Sequence, residues 1–145
     1  MESRKQFKLS SIVVLVFAGV HLLHIVADLW FGDLHHVAIP EGAPENILLI
    51  TKIFLLSFSL LLLLPQIYIG VKGLRIAKNP TRTKGHIVLA IILLAFAVLS
   101  LIGPVAHLIS HGALLDDIMS LLSYLLEVIV FAEYIKYAIA VSKEC

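Results

Sequence analysis

Cysteine and charged residues are scarce in this sequence, and each scarcity excludes a class of protein. The chain has one cysteine among 145 residues, so it can form neither an internal disulfide framework nor an internal redox pair of thiols. A formal net charge of only +1 does not suit a nucleic-acid-binding surface. Charged residues make up 14% of the chain, too few to cover a soluble domain of this size. A soluble globular protein is therefore excluded.

Soluble-enzyme motifs are also missing. The sequence contains no glycine-rich phosphate loop, no nucleophile motif and no zinc-finger spacing, each of which would point to a particular chemistry. The residues therefore assign no enzymatic activity.

Long apolar runs are what the sequence has instead. Hydrophobic residues make up 60% of the chain. They predict four spans, each of about 20 residues or more, the length that crosses a hydrocarbon core about 30 Å thick. The spans cover residues 10–31, 46–71, 86–110 and 114–140. We therefore expect residues 1–145 to form a single all-α transmembrane domain, an up-down bundle of four helices, with kinks at Pro65 and Pro104.

Basic residues predict the orientation of these spans, because Lys and Arg accumulate in cytoplasmic loops. They precede the first span, join the second to the third and lie at or after the end of the fourth, whereas the other two loops carry none. The residues that agree are Arg4, Lys5, Lys8, Lys72, Arg75, Lys78, Arg82, Lys84, Lys136 and Lys143. Both termini are therefore predicted to be cytoplasmic, in a plasma or inner membrane.

Each predicted span carries a polar stripe at helical spacing, which is typical of a face turned away from lipid. An ionisable group inside a membrane costs at least about 2.5 kcal/mol, so several together require pairing, water or a ligand. We therefore expect the four stripes to meet in one bundle interior. His86, at the inner end of the third span, is instead predicted to lie at the membrane interface.

The first candidate site is a divalent metal site. His24 and Asp28 are four residues apart on the first span, and His107 and His111 are four residues apart on the third. This spacing places both members of a pair on one helix face, and four such ligands suit a tetrahedral divalent ion. The alternative is that each pair makes only local hydrogen bonds or contacts with water.

The second candidate is a b-type haem with His24 and His107 as axial ligands. Helices one and three of an up-down bundle are diagonal, so two imidazoles can approach one iron from opposite sides. Asp28 would then orient an imidazole, and Lys52 would contact a haem propionate. A depth difference of about 5 Å between the two histidines counts against this arrangement.

The third candidate is a proton relay near the membrane midplane. Glu127, Tyr124, His21 and Gln66 are predicted at similar depth. A shielded carboxylic acid and an imidazole together are suited to accepting and releasing protons. The alternative is structural, with Glu127 hydrogen-bonded across the bundle as polar glue.

These candidates give three functional hypotheses. The leading one is a small membrane protein that holds a redox or metal centre, most specifically a b-type haem electron carrier. The second is a proton- or divalent-cation-coupled transporter in which Asp28, Lys52 and Glu127 are the coupling residues. The third is a non-catalytic subunit whose polar residues are packing contacts and whose partner is another membrane protein or a second copy of the chain.

Overall fold

Helices account for nearly all of the described chain. The computed structural model describes residues 2–31, 42, 44–81, 84–112 and 115–144. Within these ranges it contains helices α1 (Glu2–Phe31), α2 (Glu45–Lys78), α3 (Gly85–Ser100), α4 (Ile102–His111) and α5 (Leu115–Lys143), and no strand. The all-α class predicted from composition is confirmed.

Four helical stretches in the described ranges are long and apolar enough to cross a membrane: Glu2–Ala27, Leu49–Lys78, Gly85–Ser110 and Ile118–Lys143. The helices extend beyond the apolar runs, since α1 begins at Glu2 rather than at residue 10 and α2 continues to Lys78 rather than to residue 71. Backbone hydrogen bonding continues through these polar flanks, where long basic side chains can reach headgroup level. The number of spans is as predicted, and their length and composition suit a lipid bilayer.

The third apolar stretch is two helices, separated at Leu101. Pro104 explains the break, because proline has no N–H to donate to the carbonyl of Ser100 and its ring clashes with that carbonyl. At the break, the Leu101 N–H donates a hydrogen bond to the Val98 carbonyl, three residues earlier, at 3.2 Å. Helix α4 begins at the next residue. By contrast, α2 continues through Pro65 as one helix.

The helices pack as a ring in which α1 contacts α2 and α5, and α3 contacts the same two helices. This order puts α1 and α3 at opposite corners, while α4 packs on α5. Glycine permits the close approach of α1 to α2, because a Cβ on Gly73 would overlap the Ser11 hydroxyl and lie 2.9 Å from Cε2 of Tyr134. A Cβ on Gly70 would lie 2.6 Å from Cγ of Leu15.

Buried side chains are confined to one end of the ring. Among the described residues they are Phe7, Ser10, Ser11, Val14 and Ala18 on α1; Leu63, Gln66, Ile69 and Ile76 on α2; His86, Ile87, Ala90, Leu93 and Ala97 on α3; and Phe131, Tyr134, Ala138 and Val141 on α5. At this end Arg4 contacts Glu144, with Nε and Oε2 3.3 Å apart. We call it the basic end, defined by Arg4, Lys78, Lys84 and Lys143.

The opposite end, where α1 and α4 end and α2 and α5 begin, is much less tightly packed. None of the described side chains in residues 19–27, 46–62, 98–110 or 118–130 is buried. We call it the open end. The helices therefore make one close-packed half and one half whose facing side chains remain accessible.

Candidate functional site

A cleft of about 270 Å³ lies where the packed half gives way to the open half. Its polar lining comes from three long helices and the last residue of α3. The lining residues are His21, His24, Ile25, Ser59, Leu62, Leu63, Gln66, Leu93, Phe96, Ala97, Ser100, Tyr124 and Glu127. The cleft is thus a mainly apolar pocket that contains a few convergent polar groups, the usual character of a small-molecule or ion site.

Three polar side chains from three helices meet in this cleft. Nδ1 of His21 lies 3.2 Å from Oε1 of Gln66, and with the amide in this orientation Nδ1–H is the donor. The same Nδ1 is 4.0 Å from Oε1 of Glu127. That second distance exceeds a hydrogen bond, so proton exchange between Glu127 and His21 requires a bridging water or a side-chain rotation.

Exposure differs among the three groups. The side chains of His21 and Glu127 are 32% and 15% exposed, and Gln66 is 3% exposed. His21 therefore stands at the accessible side of the cluster, whereas Gln66 forms its buried floor. A group entering the cleft meets the imidazole before it reaches the amide.

The amide of Gln66 has an unused donor group, the nitrogen Nε2 with its two N–H bonds. No described side chain or backbone group accepts a hydrogen bond from its buried Nε2. A buried donor without an acceptor costs roughly 1–3 kcal/mol. At the floor of the cleft, Nε2 of Gln66 can therefore donate a hydrogen bond to a water molecule or to a ligand atom.

Two further polar groups of the cleft come from α3 and α5. Tyr124 lies three residues before Glu127 on the same helix and lines the same cleft. The hydroxyl of Ser100 donates to the Phe96 carbonyl at 2.9 Å. Pro104 cannot donate to the carbonyl of Ser100, so this carbonyl, on a residue of the cleft wall, lacks the donor that a continuous helix would supply.

Several serines of the long helices bond within their own helix. Ser10 and Ser11 both donate to the Phe7 carbonyl, at 3.0 and 2.7 Å. Ser57 donates to the carbonyl of Ile53 at 2.8 Å. The helices therefore meet through His21, Gln66 and Glu127, while these serines satisfy their hydroxyls locally.

The predicted metal and haem ligands occupy different places. His24 is exposed and lines the cleft one turn beyond His21. His107, on α4, is exposed, and Lys52, on α2, is half-buried; neither is among the described residues that line the cleft. The side chains of Asp28 and His111 lie outside the described residues. In the part of the chain that is described, no group of three or more His, Cys, Asp or Glu side chains is placed to share a metal ion.

Below the cleft, an aromatic cluster that the sequence interpretation missed fills the packed half. Tyr134 is fully buried and donates its hydroxyl to the Ile69 carbonyl at 2.8 Å. The rings of Phe7 and Tyr134 are 5.2 Å apart, and the ring of His86 is 6.2 Å from each of them. These three rings close the cleft towards the basic end.

The structure buries His86 among the helices, where it is 2% exposed, and its depth at the membrane interface stays a prediction. The helical spacing of the neighbouring small and apolar residues could have predicted that His86 is buried. His86 falls on one face with Ala90, Leu93 and Ala97, which are all buried. The position of His86 at the polar edge of an apolar run concealed that pattern.

Comparison of the chain with protein-family models, with curated proteins and with solved structures finds no match. The arrangement of residues is therefore the basis for any functional conclusion.

Proposed function

We propose that this protein is a small proton-coupled transporter, which moves protons alone or together with a divalent cation through the cleft. The observation that carries the proposal is the meeting of His21, Gln66 and Glu127, one from each of three helices, at 3.2 and 4.0 Å. Glu127 is the proton-carrying group and His21 is the group that exchanges protons with the open end.

The proposal includes an up-down bundle with both termini on the cytoplasmic side of a plasma or inner membrane. The contacts of Ser11 with Gly73 and of Arg4 with Glu144 support this arrangement, because they put the start of α1 beside the ends of α2 and α5. The basic end then faces the cytoplasm, as expected from the distribution of Lys and Arg. The cleft opens towards the outside.

The chemistry follows from the unequal accessibility of the cluster. A proton entering from the open end reaches His21 first, since its side chain is more exposed than that of Glu127. An imidazole can bind and release a proton at either ring nitrogen, so His21 can pass the proton to the carboxylate through one water. The carbonyl oxygen of Ser100 provides an additional neutral ligand for a cation that moves with the proton.

The packed half provides the barrier that a transporter needs. Phe7, Tyr134 and His86 are packed together between the cleft and the basic end, and in this proposal they block passage to the cytoplasmic side. Release of the proton on the cytoplasmic side requires the packing between α1 and α2 to loosen. The break at Leu101 provides a hinge between α3 and α4.

Proton flux into liposomes tests the proposal. The protein is reconstituted with a pH-sensitive dye inside, and a potassium diffusion potential drives protons inward, without divalent cations and then with Mg²⁺, Mn²⁺ or Zn²⁺ outside. We expect acidification faster than in protein-free liposomes in at least one condition. Glu127→Gln should reduce the rate to the protein-free level because it removes the proton-carrying group.

Glu133→Gln is the matched control, since Glu133 lies on the same helix and contacts Lys136 at 3.6 Å, outside the cleft. This variant should retain the wild-type rate. Wild-type liposomes that match protein-free liposomes in every condition would overturn the proposal, and so would a Glu127→Gln variant that transports at the wild-type rate.

A b-type haem electron carrier is the second candidate, favoured by the presence of His24 in the cleft wall and by the diagonal placement of α1 and α3. In this case the purified protein should show a Soret band that shifts on addition of dithionite, and His24→Ala and His107→Ala should each abolish it. A protein that remains colourless after expression with added haem precursor would refute this candidate while leaving the transporter proposal standing.

A further inference from the structure

A second groove lies at the basic end, between α3 and α5. It is lined by Lys84, Ile87, Val88, Ile139, Ser142 and Lys143. Lys84 immediately precedes α3 and Lys143 ends α5, so both lysines stand at the headgroup end of the groove. The isoleucines and the valine continue the groove along the two helices. The groove is separate from the cleft, with which it shares no lining residue.

From this geometry we infer that the groove is a binding site for an anionic phospholipid of the cytoplasmic leaflet. Lys84 and Lys143 bind the phosphate, and the acyl chain lies along Val88 and Ile139. A basic pocket between membrane helices on the cytoplasmic side is the chemistry that selects anionic headgroups. The site requires the membrane location and sidedness proposed above, but it does not require proton transport.

The charges at the groove support an anionic occupant. No described carboxylate forms an ion pair with Lys84 or Lys143, and the nearby Glu144 is engaged by Arg4 at 3.3 Å. Both lysine side chains are exposed, so they can rearrange around a phosphate. The groove also lies at the first turn of α3, where the helix dipole favours negative charge.

The apolar wall distinguishes a lipid from a soluble phosphate. Val88 is 56% exposed and Ile139 is 39% exposed, and both lie towards the membrane interior from the lysines. A soluble phosphate would leave this surface uncovered, whereas an acyl chain covers it. Charge at one end and apolar surface along the rest match one phospholipid molecule.

Native mass spectrometry of the detergent-purified protein tests this site. Phosphatidylglycerol and phosphatidylcholine with identical acyl chains are added at equal concentration, and the bound fractions are compared. We expect preferential binding of phosphatidylglycerol, and we expect Lys84→Gln and Lys143→Gln each to weaken it about fivefold. The double variant should bind the two lipids equally.

A matched control removes the same charge elsewhere. The double variant Arg75→Gln, Lys78→Gln changes two basic residues of α2 that do not line the groove, and it should keep the preference for phosphatidylglycerol. Equal binding of the two lipids by the wild-type protein would overturn the inference, as would an equal loss in the control. Displacement of the lipid by glycerol 3-phosphate at the same concentration would also overturn it, since the site would then recognise phosphate without the acyl chain.

The proton-flux assay in phosphatidylcholine liposomes separates this inference from the proposed function. Liposomes that contain the double variant Lys84→Gln, Lys143→Gln should transport protons whenever those with the wild-type protein do. The same variant should lose its lipid selectivity in native mass spectrometry. Lipid selectivity in a protein that shows no flux would support the groove alone.

Discussion

The histidines of this molecule have different surroundings according to their position along their helices. His21 and His24 are one turn apart on α1, yet only His21 has a described hydrogen bond to Gln66, at 3.2 Å. His86, near the basic end, is enclosed by the rings of Phe7 and Tyr134. The three imidazoles therefore occupy a hydrogen-bonded cluster, an accessible wall of the cleft and a closed core.

Gln66→Leu tests whether the amide serves function rather than stability. The change removes the acceptor for His21, worth about 1 kcal/mol, together with the unused Nε2 donor, whose burial costs about 1–3 kcal/mol. We expect the midpoint of thermal unfolding in detergent to change little, whereas proton flux falls because His21 is no longer held.

Ser59→Ala is the control, since Ser59 lines the same cleft and has no described bond to His21. Its flux should stay near the wild-type value. A large drop in the unfolding midpoint of Gln66→Leu would show that Nε2 has a partner in the membrane-embedded protein, which would contradict the premise of the prediction.

At this scale the sequence predicted the residue types of the cluster better than their contacts. Helical spacing and depth put His21, Gln66 and Glu127 at one level, and the structure brings them together. The same reasoning applied to His24 and His107 led to a haem hypothesis that remains a prediction. Depth along a helix follows from counting residues, but the side that each helix turns to its neighbours depends on packing.

Close helix contacts depend on small residues at a few positions. Gly70 and Gly73 on α2 allow Leu15 and Ser11 of α1 to approach the backbone. In a membrane, where lipid is as apolar as leucine, such close packing is a main source of helix association. The seam between α1 and α2 is therefore sensitive to a single added methyl group.

Gly73→Ala should lower the midpoint of thermal unfolding. Alanine improves helix propensity by about 1 kcal/mol, but overpacking against Ser11 and Tyr134 costs about 1–3 kcal/mol. Gly19→Ala is the control, because a Cβ on Gly19 meets nothing within 4 Å. Its midpoint should stay the same or rise, and an equal fall in both variants would contradict the packing argument.

Element boundaries show why apolar runs alone are insufficient. The runs predicted four spans, and the structure has four such stretches. They did not predict that α1 begins at Glu2, since a helix can continue through polar residues, or that the third stretch divides at Leu101. Pro104 indicated a disturbance, but its form depends on how the preceding turn rearranges.

The two ends of the whole molecule differ in packing and in charge. The basic end is closed by a buried aromatic cluster and by the contact of Arg4 with Glu144. The open end has accessible facing side chains. Thermal or chemical unfolding should therefore start at the open end, where few contacts resist separation.

Acid should weaken the basic end first at Glu144. A hydrogen bond from Ser3 holds the pKa of Glu144 below its ordinary value of 4.5, and Arg4 lowers the pKa further. A carboxylate with a depressed pKa stabilises the folded state above its unfolded pKa, and this stabilisation is lost as pH falls through the lower, folded value. The loss therefore occurs below about pH 4.5.

Glu144→Gln should reduce the drop in the unfolding midpoint that occurs below that pH. The effect should be small, because the pair is at the surface and screened by salt. Measurements at neutral pH and in acid, with Glu133→Gln as the control carboxylate, check it. A pH dependence unchanged by Glu144→Gln would show that this contact does not contribute to acid sensitivity.

The contact between α1 and α5 also determines when the basic end can assemble during synthesis. Arg4 and Glu144, and likewise Phe7 and Tyr134, are far apart in sequence, so their contacts cannot form until α5 has been synthesised and inserted. During translation α1 can pair with α2, but the side of α1 that will contact α5 stays against lipid or the insertion machinery until α5 is inserted. The close packing at the basic end is thus completed only at the final step of assembly, and a chain without α5 would not form it.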